Sequence, residues 1–280
     1  MKKFALYLLL MLPGLVLQAQ RRGIDKNFEI GLLGGLSLYS GDLSPQELGL
    51  YFQELNPAIG VFGRYNVGKR LSLRLGATFT KVAGDDMRGG FEMRGLNFRT
   101  NISELAFTGE YNIFTLGNPK GFRVAPYLFA GVGIYRFNPQ GNLDGSWIDL
   151  QPLGTEGQGL PGYEKPYALT QLNVPFGGGL KFYINNKVTV GVEMGGRKLF
   201  TDHLDDVSYT EVNYLDILEG NGSLAARFSN PQITEPSAEN VIYRRGGDFL
   251  DWFYVGGVTL SFRIGEGSGP SGRGIGCPTF

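Results

Sequence analysis

The sequence predicts an all-β fold, an eight-stranded antiparallel outer-membrane β-barrel with long extracellular loops. Three observations predict it. Short runs alternate apolar and polar residues, their connections switch regularly between short and long, and the pattern follows an N-terminal export leader.

The leader is residues 1–19. Lys2 and Lys3 form a basic start, Phe4 to Leu17 an apolar stretch, and Gln18-Ala19-Gln20 a cleavage region. Pro13 and Gly14 interrupt the apolar run, which is shorter than the ~20 residues a spanning helix needs, so cleavage is expected rather than anchoring. No later stretch is long and apolar enough to cross a bilayer as a helix, which leaves insertion to strands. A mean hydropathy of -0.09 fits alternating strands, whose two faces average out. Losing Lys2 and Lys3 takes the basic count from 26 to 24 against 26 acids, so no basic excess exists to hold nucleic acid.

Alternation is cleanest at 252–264. There Trp252, Tyr254, Gly256, Val258, Leu260, Phe262 and Ile264 share a lipid face, and Thr259, Ser261 and Arg263 a lumen face. Residues 188–197 repeat it, with Val188, Val190, Val192 and Met194 outward. Less pure runs follow Ile30, Leu32, Leu36 and Leu38; Ile59, Val61 and Tyr65; and Leu71, Leu73, Leu75 and Phe79. Others follow Leu105, Phe107, Tyr111 and Ile113; Leu128, Ala130, Val132 and Ile134; and Leu172, Val174, Phe176, Leu180 and Phe182. Pro175 removes a ladder donor and marks a bulge or a locally broken pair.

Eight strands enclose a lumen that side chains fill. Glu29, Arg64, Arg74, Glu104, Glu110, Lys181, Glu193, Arg197 and Arg263 all take the inward parity and are expected to form an ion-pair plug, since buried charges need partners. The connections at 67–70, 115–122 and 184–187 are tight, whereas 40–56, 82–100, 138–168 and 201–250 are long. Short turns belong to the periplasm, so both termini are expected there. The barrel is read as 20–264, followed by a Gly-, Ser- and Pro-rich tail, 265–280, expected to be flexible until a partner orders it. In the first long loop, Ser44 as N-cap, Pro45 and Glu47 predict a helix carrying Leu48, Tyr51, Phe52 and Leu55 on one stripe.

Little points to chemistry. His203 sits in Thr201-Asp202-His203-Leu204-Asp205-Asp206, and no serine or second acid is tied to it by spacing. Asp202, Asp205 and Asp206 are hard oxygen ligands without EF-hand spacing, so calcium is one reading and Asx-capped turns the other. Cys277 occurs alone, which excludes an internal disulfide and leaves a free thiol or a bridge to another chain. Gly177-Gly178-Gly179 lies within a strand run with no helix after it, which excludes a phosphate loop. No catalytic residue, cofactor or metal is assigned, and no small-molecule substrate is expected.

The 149–163 run (Asp-Leu-Gln-Pro-Leu-Gly-Thr-Glu-Gly-Gln-Gly-Leu-Pro-Gly-Tyr), Thr201–Ser208, Gly41-Asp42-Leu43 and Cys277-Pro-Thr-Phe280 together resemble the PorG family. That family supplies an outer-membrane component of the Bacteroidetes type IX secretion system and was first described as a domain of unknown function. The resemblance covers nearly the whole mature chain and implies a non-enzymatic barrel that ties the periplasmic ring proteins PorK and PorN to the outer membrane, with part of the family serving gliding motility. No motif carries the partner surface, and the tail residues Arg273, Cys277 and Phe280 are taken as candidate contacts. The alternative is a small OmpA-like surface barrel or solute channel unrelated to secretion.

Overall fold

The structure, a computed structural model, describes residues 27–45, 49–89, 94–118, 121–233 and 241–264. The leader, the tail with Arg273, Cys277 and Phe280, and Glu47 lie outside the described residues.

Eight long strands form the wall: β1 (Asn27–Ser40), β2 (Asn56–Asn66), β3 (Leu71–Asp85), β4 (Asn97–Asn112), β5 (Arg123–Arg136), β6 (Thr170–Tyr183), β7 (Val188–Leu199) and β8 (Trp252–Ile264). Each pairs antiparallel with its chain neighbour. β8 returns to β1, with Phe28 opposite Ile264 and Ser40 opposite Trp252, so the ladder closes and no edge is left. A closed ladder is what a strand protein needs in lipid, where unpaired backbone groups find no water.

The period-2 alternation decides which way each side chain points. Ile59, Val61, Leu75, Phe79, Leu105, Phe107, Leu128, Val132, Val192, Val258 and Phe262 stand exposed on the outside, while Glu29, Arg64, Glu110, Lys181, Thr259 and Ser261 are buried inside. An apolar belt around a polar interior is the architecture of an outer-membrane β-barrel.

The polar-inward rule is diluted in the half of the lumen nearer the long loops, where Ser37, Thr80 and Thr100 are buried beside apolar residues. Toward the long loops, Leu33, Val82, Phe98, Ile102, Tyr135, Leu199, Phe253 and Val255 also point inward and pack into one buried apolar cluster. Expecting polar residues along the whole lumen was therefore wrong. Above the ionic level an aliphatic and aromatic filling packs without needing partners.

Pairing between β5 and β6 stops at Ala130–Phe176 and resumes at Gly133–Asn173 in unchanged register. Pro175 thus breaks the ladder locally without inserting a residue, which makes it a broken pair and not a bulge. Of the expected helix over 44–55, residues 46–48 lie outside the described residues, while residues 49–51 are irregular and Phe52–Glu54 form a 3₁₀ turn, so the stripe through Tyr51, Phe52 and Leu55 is not helical. The Ser44 hydroxyl donates to the Gly41 carbonyl at 2.6 Å and accepts from the Gly41 amide at 3.1 Å.

The long connections have structure of their own. Residues 139–143 and 146–149 form a hairpin that continues the β4 edge through Thr100–Pro139 and Arg99–Gln140. The β7–β8 connection folds into two short helices, α1 (Tyr214–Gly220) and α2 (Ser223–Ser229), beside a small hairpin, 211–213 with 242–244. Val212, Tyr214, Ile217, Ala225 and Ala226 give it a separate core.

The closing seam depends on glycine. Gly35 faces Gly257, and a Cβ on Gly35 would overlap the Gly256 carbonyl oxygen, while Gly34 has open space around its own Cβ position. Gly35→Val is expected to cost ~1–3 kcal/mol through overpacking, and Gly34→Val to cost far less; urea unfolding in detergent measures both.

Candidate functional site

Two layers of polar chemistry block the barrel, one in the lumen and one across the mouth that carries the long loops.

In the lumen, Arg64 reaches across from β2. Its terminal nitrogens lie 3.0 Å from Glu29 and 3.3 Å from Glu110 in hydrogen-bonding geometry. Its Nε lies 2.7 Å from Glu110 as well, but off the N–H axis, so that contact is ionic without being a hydrogen bond. Glu110 also receives Lys181 Nζ at 2.6 Å and Arg74 at 3.6 Å. One buried carboxylate therefore stands among three cations. Arg74 pairs chiefly with Glu193 at 2.8 Å, and Tyr127 donates its hydroxyl to the same carboxylate. Phe62 lies under both guanidiniums, with ring centroid 4.9 Å from Arg64 and 4.1 Å from Arg74.

Glu104 and Arg197 form a second pair at 3.3 Å, nearer the loops, with Asn173 donating to Glu104 at 2.7 Å. Arg263 joins last and most loosely, 3.9 Å from Glu29. The structure thus brings all nine inward charges into two groups. The alternation places Asn66 inward with Arg64, but it does not single out Tyr127 or Phe62, although both share the inward parity of their strands.

Across the mouth, each of the four long connections contributes to one knot. Tyr39, at the end of β1, places its hydroxyl 2.5 Å from Asp205 and 3.1 Å from Asp251, just before β8. Asp251 accepts from the Leu204 amide at 2.9 Å, and Asp205 from the Val207 amide at 2.9 Å. Asp206, held at φ 67°, accepts the hydroxyls of Tyr167 at 2.6 Å and Thr155 at 2.5 Å. Buried Arg245 donates to Thr155 and to the Asp206 carbonyl, and Glu156 accepts both the amide and the hydroxyl of Ser208. Asp86 pairs with Arg94 at 2.6 Å, and Arg94 in turn donates to the Asp42 carbonyl. The segments Gly41–Leu43, 149–163 and Thr201–Ser208, far apart in the chain, therefore meet here.

The carboxylates of the His203 stretch diverge. Asp205 and Asp206 give their oxygens to protein donors, and among the described residues no three acids, histidines or cysteines are arranged around a common point. His203 stacks on Tyr167 at 4.5 Å, with its Nδ1 4.0 Å from Glu156. Ser208 bonds to Glu156 rather than to the imidazole, so no nucleophile–base pair forms.

Burial, then the charges of Asp251 and Asp42, hold the Asp205 carboxyl well above the usual carboxylate range, and burial, then the charges of Asp202 and Asp42, do the same for Asp251. Burial and then Asp42 push Asp202 up to about 7, and burial pushes Glu156 up to about 8 against the pull of Arg245. Burial lowers His203.

Raised acids bind protons more tightly in the folded chain. Their contribution is full below the ordinary value of ~4 and fades as pH rises through the raised ones, while that of His203 fades as pH falls below ~6.5. From neutrality up to about pH 8, therefore, only the acids change. Protease nicking of the 200–251 loop in the folded barrel is expected to be faster at about pH 8 than near pH 6.5, with Asp251→Asn flattening the difference. In the lumen, Glu110→Gln leaves three cations undercompensated and is expected to cost ~3–5 kcal/mol, read as a lower urea midpoint.

Among solved structures, the chain is similar in shape to Neisserial surface protein A, at 9% identity and TM-score 0.40, covering 85% of this chain and 97% of that one. It is similar also to the attachment invasion locus protein Ail of Yersinia pestis, at 9% identity and TM-score 0.38, covering 85% and 99%. For OprG of Pseudomonas aeruginosa the values are 10%, 0.37, 87% and 100%. The barrel assignment rests on the strand pairing itself. No curated protein matches the sequence. Residues 2–152, more than half of the chain, match a family described as a domain of unknown function, and the chain belongs to that family, DUF6089.

Proposed function

We propose that this chain is a non-enzymatic outer-membrane barrel of the type IX protein secretion machinery, anchoring the periplasmic PorK/PorN ring to the outer membrane and supporting export and gliding. The loop segments that resemble the PorG family motivate the system, and the blocked lumen is the observation that carries the role. An ionic level centred on Glu110 and an apolar level of Val82, Phe98 and Phe253 both fill the bore, which suits a tether and opposes a conduit.

Both chain ends leave the barrel beside the short turns, because Phe28 pairs with Ile264 there. With the long loops outside the cell, that end faces the periplasm and the ring. In this reading residues 1–19 are a cleaved leader, and Arg273, Cys277 and Phe280 of the tail are ring contacts.

Deleting the gene is expected to leave export cargo inside the cell, and the tagged barrel to co-purify with PorK and PorN. Unimpaired export would overturn the reading. Removing residues 266–280 should preserve insertion while weakening ring recovery in a pull-down. In planar bilayers the purified barrel should show no ohmic steps, whereas steady conductance would favour the solute-channel reading instead.

A further inference from the structure

The two ends of the barrel carry opposite charge. Apart from Glu29, Glu104, Glu110 and Glu193 in the lumen, every Asp and Glu between residues 27 and 264 falls in a long connection or at a strand end that meets one. The three short connections contain Lys69, Arg70, Lys120 and Lys187 and no acid at all. Arg123 and Arg263 add to this rim from the strand ends beside it. Lys69, Arg70 and Lys187 are exposed, and none of the three has a carboxylate partner among the described residues.

Position around the ring separates two kinds of partner. Lipid phosphates reach a barrel from outside its wall. Arg123 and Arg263 take the inward parity: Arg123 lies over the ring of Tyr183 at 4.8 Å, and Arg263 leans toward Glu29 in the lumen. The Nε of each is buried with no acceptor among the described residues. The Arg263 amide donates to the Lys187 carbonyl at 2.8 Å, so the β6–β7 turn and the lumen mouth present their cations side by side. The chain's own flanking segments do not neutralise the rim. Residues 20–26 and 265–280 carry Asp25 and Glu266 against Arg21, Arg22, Lys26 and Arg273.

We infer that the short-turn mouth of the barrel is a docking surface for a carboxylate-rich protein segment, received by Lys69, Arg70, Arg123, Lys187 and Arg263. Its acids would pair with the exposed cations of the turns, Lys69, Arg70 and Lys187, and with the guanidinium ends of Arg123 and Arg263 at the lumen mouth, and would lie across the axis, where lipid does not reach. The surface does not depend on the secretion reading, which only names who would bring the segment.

The test uses the full mature chain in phosphatidylcholine nanodiscs, with a fluorescent oligo-glutamate peptide as probe. Binding at low salt that falls steeply as salt is raised is the expected result. Lys69→Gln/Arg123→Gln/Lys187→Gln should weaken it about tenfold or more, and the turn-tip pair Lys69→Gln/Lys187→Gln, which leaves the wall untouched, should weaken it in part. Arg227→Gln at the opposite end should change nothing. No binding at low salt, or equal binding by the triple variant, overturns the inference. Loss of peptide binding when phosphatidylglycerol is added to the nanodisc assigns the cations to lipid and overturns it too. If the ring proteins fail to co-purify while the peptide binds, the secretion reading fails and the surface stands; the reverse result keeps the anchor and removes this surface.

Discussion

Closing eight strands on themselves settles the backbone and creates a difficulty for the side chains. Half of them must enter a bore too narrow for bulk water, and any charge among them has to be met there. Glu110 is where the chain meets this demand, as a fully buried carboxylate touched by Arg64, Arg74 and Lys181 from three other strands. Its neighbours are then fixed in turn. Arg64 is drawn to Glu29, Arg74 to Glu193, and Phe62 is pressed beneath both guanidiniums. The contacts link β1, β2, β3, β4, β6 and β7 across the bore, so the network braces the cylinder as well as filling it.

Polarity then changes with height. Above the ionic level, Val82, Phe98, Ile102 and Phe253 need no partners and fill space by shape, and above them the loops return to hydrogen-bonded acids. The phenol of Tyr39 lies against both Asp205 and Asp251 and has a single proton to donate. Burial and neighbouring acids raise the proton affinity of both carboxyls, so that affinity is a structural feature of the mouth. The 200–251 connection is held at its root by this contact, while its outer part carries its own small core.

The wall was legible in the sequence because a strand has a period of two and lipid punishes a polar outward residue. Val258, Leu260 and Phe262 against Thr259 and Ser261 leave one assignment. The inward charges were legible for the same reason. The apolar level was not, because where both faces are apolar, as at Leu199 or Val255, alternation vanishes and parity must be carried over from elsewhere in the strand. Partners across the mouth were hidden by distance along the chain: Tyr39 and Asp205 are separated by 166 positions, and no local pattern links them. The first long loop departs from its local pattern for a different reason. Ser44, Pro45 and Glu47 read as a helix start, yet residues 49–51 are irregular and the chain tightens to a 3₁₀ turn at Phe52–Glu54.

A bore filled at two levels also limits how the molecule could act. Among the described residues the inward charges are tied to one another, so a signal passing through the bore from one side of the membrane to the other would have to break buried, mutually dependent contacts. The two ends are therefore mechanically joined and chemically distinct, acidic and hydrogen-bonded at the long loops, basic and short at the other. A filled cylinder with unlike ends is compatible with the proposed anchoring role, in which an acidic partner segment would have an electrostatic reason to choose the basic end.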